Sequence, residues 1–206
     1  RQSPLWRAAA AYRSGSSVPV GLLLLIGCPA PEDDLPLATD DEQPPIAEPV
    51  EVAVTLASWK EIESAIAEHE GKVVVVDLWS TSCAPCKREF PHLVELQGKH
   101  DPDKVACIAV SLDYYGDPTE PPESFRPAVE EFLAEQKATF QNFICTDSSD
   151  DVYTEVKSFG VPIVMVYGPD GELAKLFEDD GTYGEEGFTY EKHIGPLVAE
   201  LLPQGN

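Results

Sequence analysis

Two stretches of the chain carry apolar residues without alternation. Residues 73–79 read Val-Val-Val-Val-Asp-Leu-Trp and residues 105–110 read Val-Ala-Cys-Ile-Ala-Val. Runs of this kind predict strands covered on both faces, as inside a parallel sheet. Residues 163–167 and 172–177 flank Gly168-Pro169-Asp170-Gly171, which predicts a hairpin. Helical spacing fills the intervals. Ser58-Trp59-Lys60-Glu61 is a capping box, Ile62 and Ile66 follow at helical spacing, and Gly71 is expected to close that helix. Residues 87–97 are helix formers, and 123–137 predict a helix provided that Pro127 falls in its first turn. Residues 142–145 predict a short strand, 151–159 a short helix, and about 190–202 a terminal helix. The acidic, Gly-rich 179–187 predicts an exposed loop. Alternating strands and helices make the fold class α/β, a central mixed β-sheet flanked by helices.

The N-terminal quarter has a different pattern. Arg1, Arg7 and Arg13 precede an apolar run over 18–26 that is too short to span a bilayer. A basic segment, a short apolar run and a small residue at the break predict an export signal over 1–27. The break, Leu25-Ile26-Gly27-Cys28, resembles the bacterial lipobox, which makes Cys28 the expected lipidation site. Residues 28–52 alternate Pro with Asp and Glu, and no basic residue occurs between Arg13 and Lys60. Such a stretch cannot repay its ordering entropy. It predicts an extended tether of up to about 70 Å at ~3.1 Å per residue. One folded domain is then expected over 53–206. The formal charge of -23, from 37 acidic and 14 basic residues, disfavours nucleic acid and anionic lipid heads as partners.

The candidate chemistry lies where the first buried run ends. Cys83-Ala84-Pro85-Cys86 falls between that strand and the helix at 87–97, so Cys83 stands near the first free N–H groups of a helix. These groups and the positive end of the helix dipole favour a thiolate. A two-residue spacer lets the sulfurs close a reducible ring, which is disulfide-exchange chemistry. The duller reading is half of a zinc site. Zinc takes four ligands, there is no second CxxC, and His69 and His92 stand alone, so no metal is expected. Asp77, on a buried strand, is expected to have a raised pKa and to accept the proton of Cys86. Cys107 and Cys145 lie in apolar strands as small hydrophobes, and a bridge between them would require a short Cα separation.

The chain resembles the thioredoxin superfamily, and within it the TlpA/ResA-like branch of exported thiol–disulfide oxidoreductases, over roughly 73–177. Asp77 lies six residues before Cys83, where thioredoxins keep a buried carboxylate. Trp79 matches a strand-end Trp, and Glu89 in Lys87-Arg88-Glu89-Phe90-Pro91 matches a glutamate three residues past the second cysteine. Gly160-Val161-Pro162 looks like the family's cis-proline. Ser82 departs from the pattern, since Trp is usual before the first cysteine.

The resemblance implies a thioredoxin-like fold, with the helix at 123–137 and the strand at 142–145 as a TlpA-like insertion. It implies Cys83 as nucleophile, Cys86 as resolving thiol, and Glu89 as a group tuning their pKa. Pro162 would present the Val161 backbone to an extended substrate, with Trp79 as a possible contact at the strand end. It further implies no cofactor beyond the Cys83–Cys86 disulfide, exported protein dithiol or disulfide substrates, a membrane thiol electron donor, and a lipid-anchored position on the cell envelope. A reductase is favoured, with haem-attachment cysteines of apocytochrome c as candidate substrates. Two alternatives share the fold. A copper chaperone uses CxxxC and a distal His, and a thiol peroxidase needs Thr where this chain has Ser80.

Overall fold

The computed structural model describes residues 51–202. The expected export signal, Cys28 and all but the last two residues of the expected tether lie outside the described residues. Of those two, Val52 packs against the core.

Six strands form one sheet: β1 (Val54–Ala57), β2 (Val73–Trp79), β3 (Val105–Ser111), β4 (Gln141–Cys145), β5 (Ile163–Tyr167) and β6 (Leu173–Glu178). Their spatial order is β1-β4-β3-β2-β5-β6. The first four pair in parallel, and β5 and β6 add antiparallel at the other side. All seven residues of β2 and of β3 are buried, as unbroken apolar runs require of central strands. Helix α1 (Trp59–Ala67) and α4 (Ser149–Val156) cover one face; α2 (Ala84–Lys99), α3 (Arg126–Gln136) and the C-terminal α5 (Gly195–Leu201) cover the other.

Side chains alternate across a strand, so β2 divides its residues between two cores. Val74, Val76 and Leu78 meet Ile62 and Ile66 of α1. Val73, Val75 and Trp79 meet Phe90 and Leu93 of α2, together with Tyr190 and Ile194. Asp77 belongs by this alternation to the second face. The odd-numbered face of β2 therefore carries the chemistry.

The insertion is α3 with β4, which lies between β1 and β3. β1 had no clear signature, being four residues long and only half-covered; its pairing with β4, from Val54 opposite Asn142 to Ala57 opposite Cys145, makes it a strand. Other boundaries moved for local reasons. α1 stops at Ala67, and Gly71 (φ +95°) instead turns the chain into β2, its N–H donating to the Pro169 carbonyl at 2.9 Å. Residues Pro122–Phe125 form a 3-10 turn and α3 starts at Arg126, which puts Pro127 where its missing N–H has no role. α4 ends at Val156 because Lys157 adopts the left-handed conformation at φ 59°. A π turn over Tyr190–Ile194 leads into α5.

Candidate active site

Cys83 and Cys86 are joined as a disulfide, with Cα atoms 5.3 Å apart. Cys83 is the N-cap of α2, and its sulfur accepts the Cys86 N–H at 3.2 Å. The same donor would hold a Cys83 thiolate after reduction. Pro85 sits in the first turn, where a helix needs no further N–H. Cys83 is 9% exposed and Cys86 2%, so an incoming sulfur reaches Cys83 first.

The loop before Cys83 is clamped to the end of β3. Buried Asp113 accepts the Thr81 N–H at 2.9 Å, the Thr81 hydroxyl at 2.6 Å and the Ser111 hydroxyl at 2.6 Å. Nothing in the sequence marked Asp113, since a single Asp past a strand reads as a turn residue. At the rim, Ser82 is exposed and its hydroxyl lies 3.4 Å from that of Tyr115, itself 61% exposed.

Asp77 lies under this turn, 3% exposed. Tyr190, 113 residues further along the chain, donates its hydroxyl to Asp77 Oδ2 at 2.6 Å, while Oδ1 has no partner among the described residues. Burial pushes the Asp77 carboxyl up to about 7; the Tyr190 hydrogen bond opposes this and the charge of Glu89 adds to it. Burial and then the Asp77 charge push the Tyr190 phenol well above its ordinary value, so it stays a donor. A group half-ionised near neutrality can both take and return a proton. Tyr190 escaped the sequence reading because its role is set by tertiary contact alone.

Glu89 points partly inward. Its side chain is 14% exposed, one oxygen lies 3.5 Å from Arg88 Nε, and the other is buried without a partner. It is therefore close enough to Asp77 for their charges to interact. The Val161–Pro162 bond is cis. Since Leu78 pairs with Ile163, Pro162 enters β5 at the end of the sheet from which the Cys83 turn emerges.

Trp79 ends β2 on the face that α2 and α3 cover. It is fully buried, with its ring 4.7 Å from that of Phe132 and 5.3 Å from that of Phe90. It supports the site from beneath. Cys107 and Cys145 are both free and buried. They face opposite cores, and Cys145 falls one position past the Ser111–Ile144 pair, hence five residues of register from Cys107, roughly 16 Å along the strands. Among the described residues no three His, Cys, Asp or Glu side chains gather as a metal site.

The fold is shared with solved structures. A thioredoxin-like superfamily protein aligns at TM-score 0.52 and 19% identity over 68% of this chain and 86% of its own. A thiol-disulfide isomerase from Corynebacterium glutamicum aligns at 0.50 and 19%, over 68% and 86%. Curated relatives carry matching chemistry in their names. Sporulation thiol-disulfide oxidoreductase A of Bacillus subtilis (strain 168) is 26% identical over 157 residues, 76% of this chain and 80% of its own. Thiol-disulfide oxidoreductase ResA of Oceanobacillus iheyensis is 27% identical over 113 residues, and the match spans 55% of this chain and 53% of that relative. With a CxxC disulfide heading α2, the chain is a thiol–disulfide oxidoreductase. The AhpC/TSA family model matches residues 50–182, well over half of the sequence, and the chain therefore belongs to the AhpC/TSA family.

Proposed function

We propose that this oxidoreductase works as a reductase of exported proteins, tethered to the outer side of the cytoplasmic membrane through a lipidated Cys28. The observation that carries the catalytic reading is a helix-capping Cys83 above a buried carboxyl whose pKa is pushed up to about 7. The Cys83 thiolate attacks one sulfur of a substrate disulfide. A Cys83–substrate disulfide forms, the substrate's own S–S bond breaks, and the departing thiolate takes a proton from water. Asp77 then accepts the proton of Cys86, whose sulfur attacks Cys83. The second substrate thiolate leaves and takes up a proton, and two electrons have passed from Cys83 and Cys86 to the substrate. A membrane dithiol donor returns the pair to its reduced form.

Asp77 and Glu89 disfavour further negative charge near the pair, which works against a strongly oxidising couple. The resemblance to ResA-like proteins supports apocytochrome c as a substrate, and the lipobox-like Leu25-Ile26-Gly27-Cys28 supports the anchor. Substrate docking falls to the exposed rim: the Val161 backbone, Ser82, Tyr115 and Phe159, which is 95% exposed three residues before Pro162. A peroxidase lacks its Thr here, since Ser80 fills that position, buried and sharing its hydroxyl with Ser82 at 3.1 Å.

The test is the potential of the Cys83–Cys86 couple, read by counting free thiols after equilibration with glutathione buffers. A value nearer thioredoxin's, about -270 mV, is expected; one near about -120 mV, that of a strong periplasmic oxidant, overturns the reductase direction. Cys86→Ala should accumulate substrates trapped on Cys83, and their identity names the client.

A further inference from the structure

We infer that Tyr190 is a positioning residue for this reaction: its hydroxyl, delivered by the C-terminal segment, orients the Asp77 carboxylate and keeps it competent to accept the Cys86 proton. The inference rests on the reading of Asp77 as proton acceptor given above.

Three observations carry it. The 2.6 Å contact has the length of a charge-assisted hydrogen bond, and both side chains are 3% exposed. Among the described residues Asp77 is the only partner of the phenol oxygen, so the hydroxyl does work that packing alone would not need. Phe177, Phe188 and Phe90 already supply apolar bulk to the same core. Finally, the bond divides the carboxylate. Oδ2 is committed to the phenol, which leaves the partnerless Oδ1 as the oxygen free to take a proton.

The turn that presents Tyr190 is locked in place. The Thr189 hydroxyl accepts the Lys192 N–H at 3.2 Å, and the Thr189 N–H donates to His193 Nδ1 at 2.9 Å. Besides Tyr190, the groups whose charges interact with Asp77 are Glu89 from α2 and Cys107 from β3, while the Cys83–Cys86 pair lies in the same core as Tyr190 and Cys107. Cys107 stays a thiol, pushed up by burial and by Asp77 itself. On its outer side Tyr190 borders a cleft between α2 and α5 lined by His92, Glu95, Lys99, His100 and Glu191. Among the described residues, Tyr190 is thus the sole hydrogen-bond donor to the carboxylate, and its loss moves the proton affinity of Asp77 upward.

The test is the pH profile of release from a preformed mixed disulfide between Cys83 and thionitrobenzoate, followed by absorbance from pH 5 to 10. For Tyr190→Phe the midpoint should rise by about one pH unit, since a hydrogen bond to a charged group is worth about that much or more. At pH 7 release should be roughly fivefold slower, the ratio of ionised fractions for midpoints near 7 and 8, with the gap closing above about pH 9. Mixed-disulfide formation should not change. Replacing Tyr190 with 3,5-difluorotyrosine keeps every atom of the contact and strengthens the donor, so its midpoint should fall. A carbon-13 titration of the Asp77 carboxyl in the oxidised protein should show the same shifts.

A uniform slowing by Tyr190→Phe at all pH values, or an unmoved midpoint in both variants, overturns the inference. Asp77→Asn separates the two failures. If it flattens the profile while Tyr190→Phe leaves the midpoint alone, only the role of Tyr190 falls. If Asp77→Asn leaves the profile intact, the base reading falls and the inference with it.

Discussion

Asp77→Asn should stabilise the oxidised protein at high pH while damaging its chemistry, and the amount can be worked from the site. An Asp in an unfolded chain titrates near 3.8, whereas the buried Asp77 is pushed up to about 7. Between those values the folded state holds a proton that the unfolded state has lost, so stability falls as pH rises through this window. At about 1.36 kcal/mol per unit, a difference of some three units costs roughly 4 kcal/mol once the pH exceeds about 7. Below about 3.8 both states are protonated and the cost is gone. Asn removes this dependence but buries an amide whose N–H groups lack a partner, a penalty of about 1–3 kcal/mol at every pH. The variant should therefore be less stable than wild type near pH 4 and more stable, by roughly 1–3 kcal/mol, near pH 9. Urea denaturation of both oxidised proteins at pH 4, 7 and 9 measures the difference, in which all other titrating groups cancel. A stability difference that stays constant from pH 4 to 9 refutes the raised Asp77 pKa.

Three further outcomes are expected. Asp113→Ala leaves the Thr81 N–H and two hydroxyls without their acceptor and should cost roughly 2–3 kcal/mol, read as a lower Tm, with Asp113→Asn recovering part of the loss. Phe159→Ala should raise KM for a protein substrate about five- to thirtyfold, as expected for an apolar contact worth about 1–2 kcal/mol, while kcat/KM for a small disulfide stays unchanged. Cys28→Ser should abolish acyl labelling and move the protein from membrane to soluble fractions; equal membrane association and equal processing would count against the anchor.

The parts of the site legible in the sequence are those bound by short-range spacing. Cys83, Cys86 and Asp77 lie within ten residues at a strand-to-helix junction, and the buried run before them fixes which side of the sheet they share. Pro162 was legible because a strand follows it at once. What was not legible depends on distant chain segments. Tyr190 reaches Asp77 across 113 positions, and Asp113 gains meaning only when β3 lies beside β2. β1 is a strand through its pairing with β4, not through its own pattern. The burial of Trp79 was not legible for a related reason: a strand end looks exposed in one dimension, yet α2 and α3 close over it with Phe90 and Phe132.

The bond between Tyr190 and Asp77 also sets an order of assembly. A chain made from its N-terminus delivers the thiol pair long before the residue that donates to the carboxylate. During that interval Asp77 lacks its hydrogen-bond donor. A chain that lost its final segment would keep both cysteines and the strand below them, but Asp77 would be left without its hydrogen-bond donor.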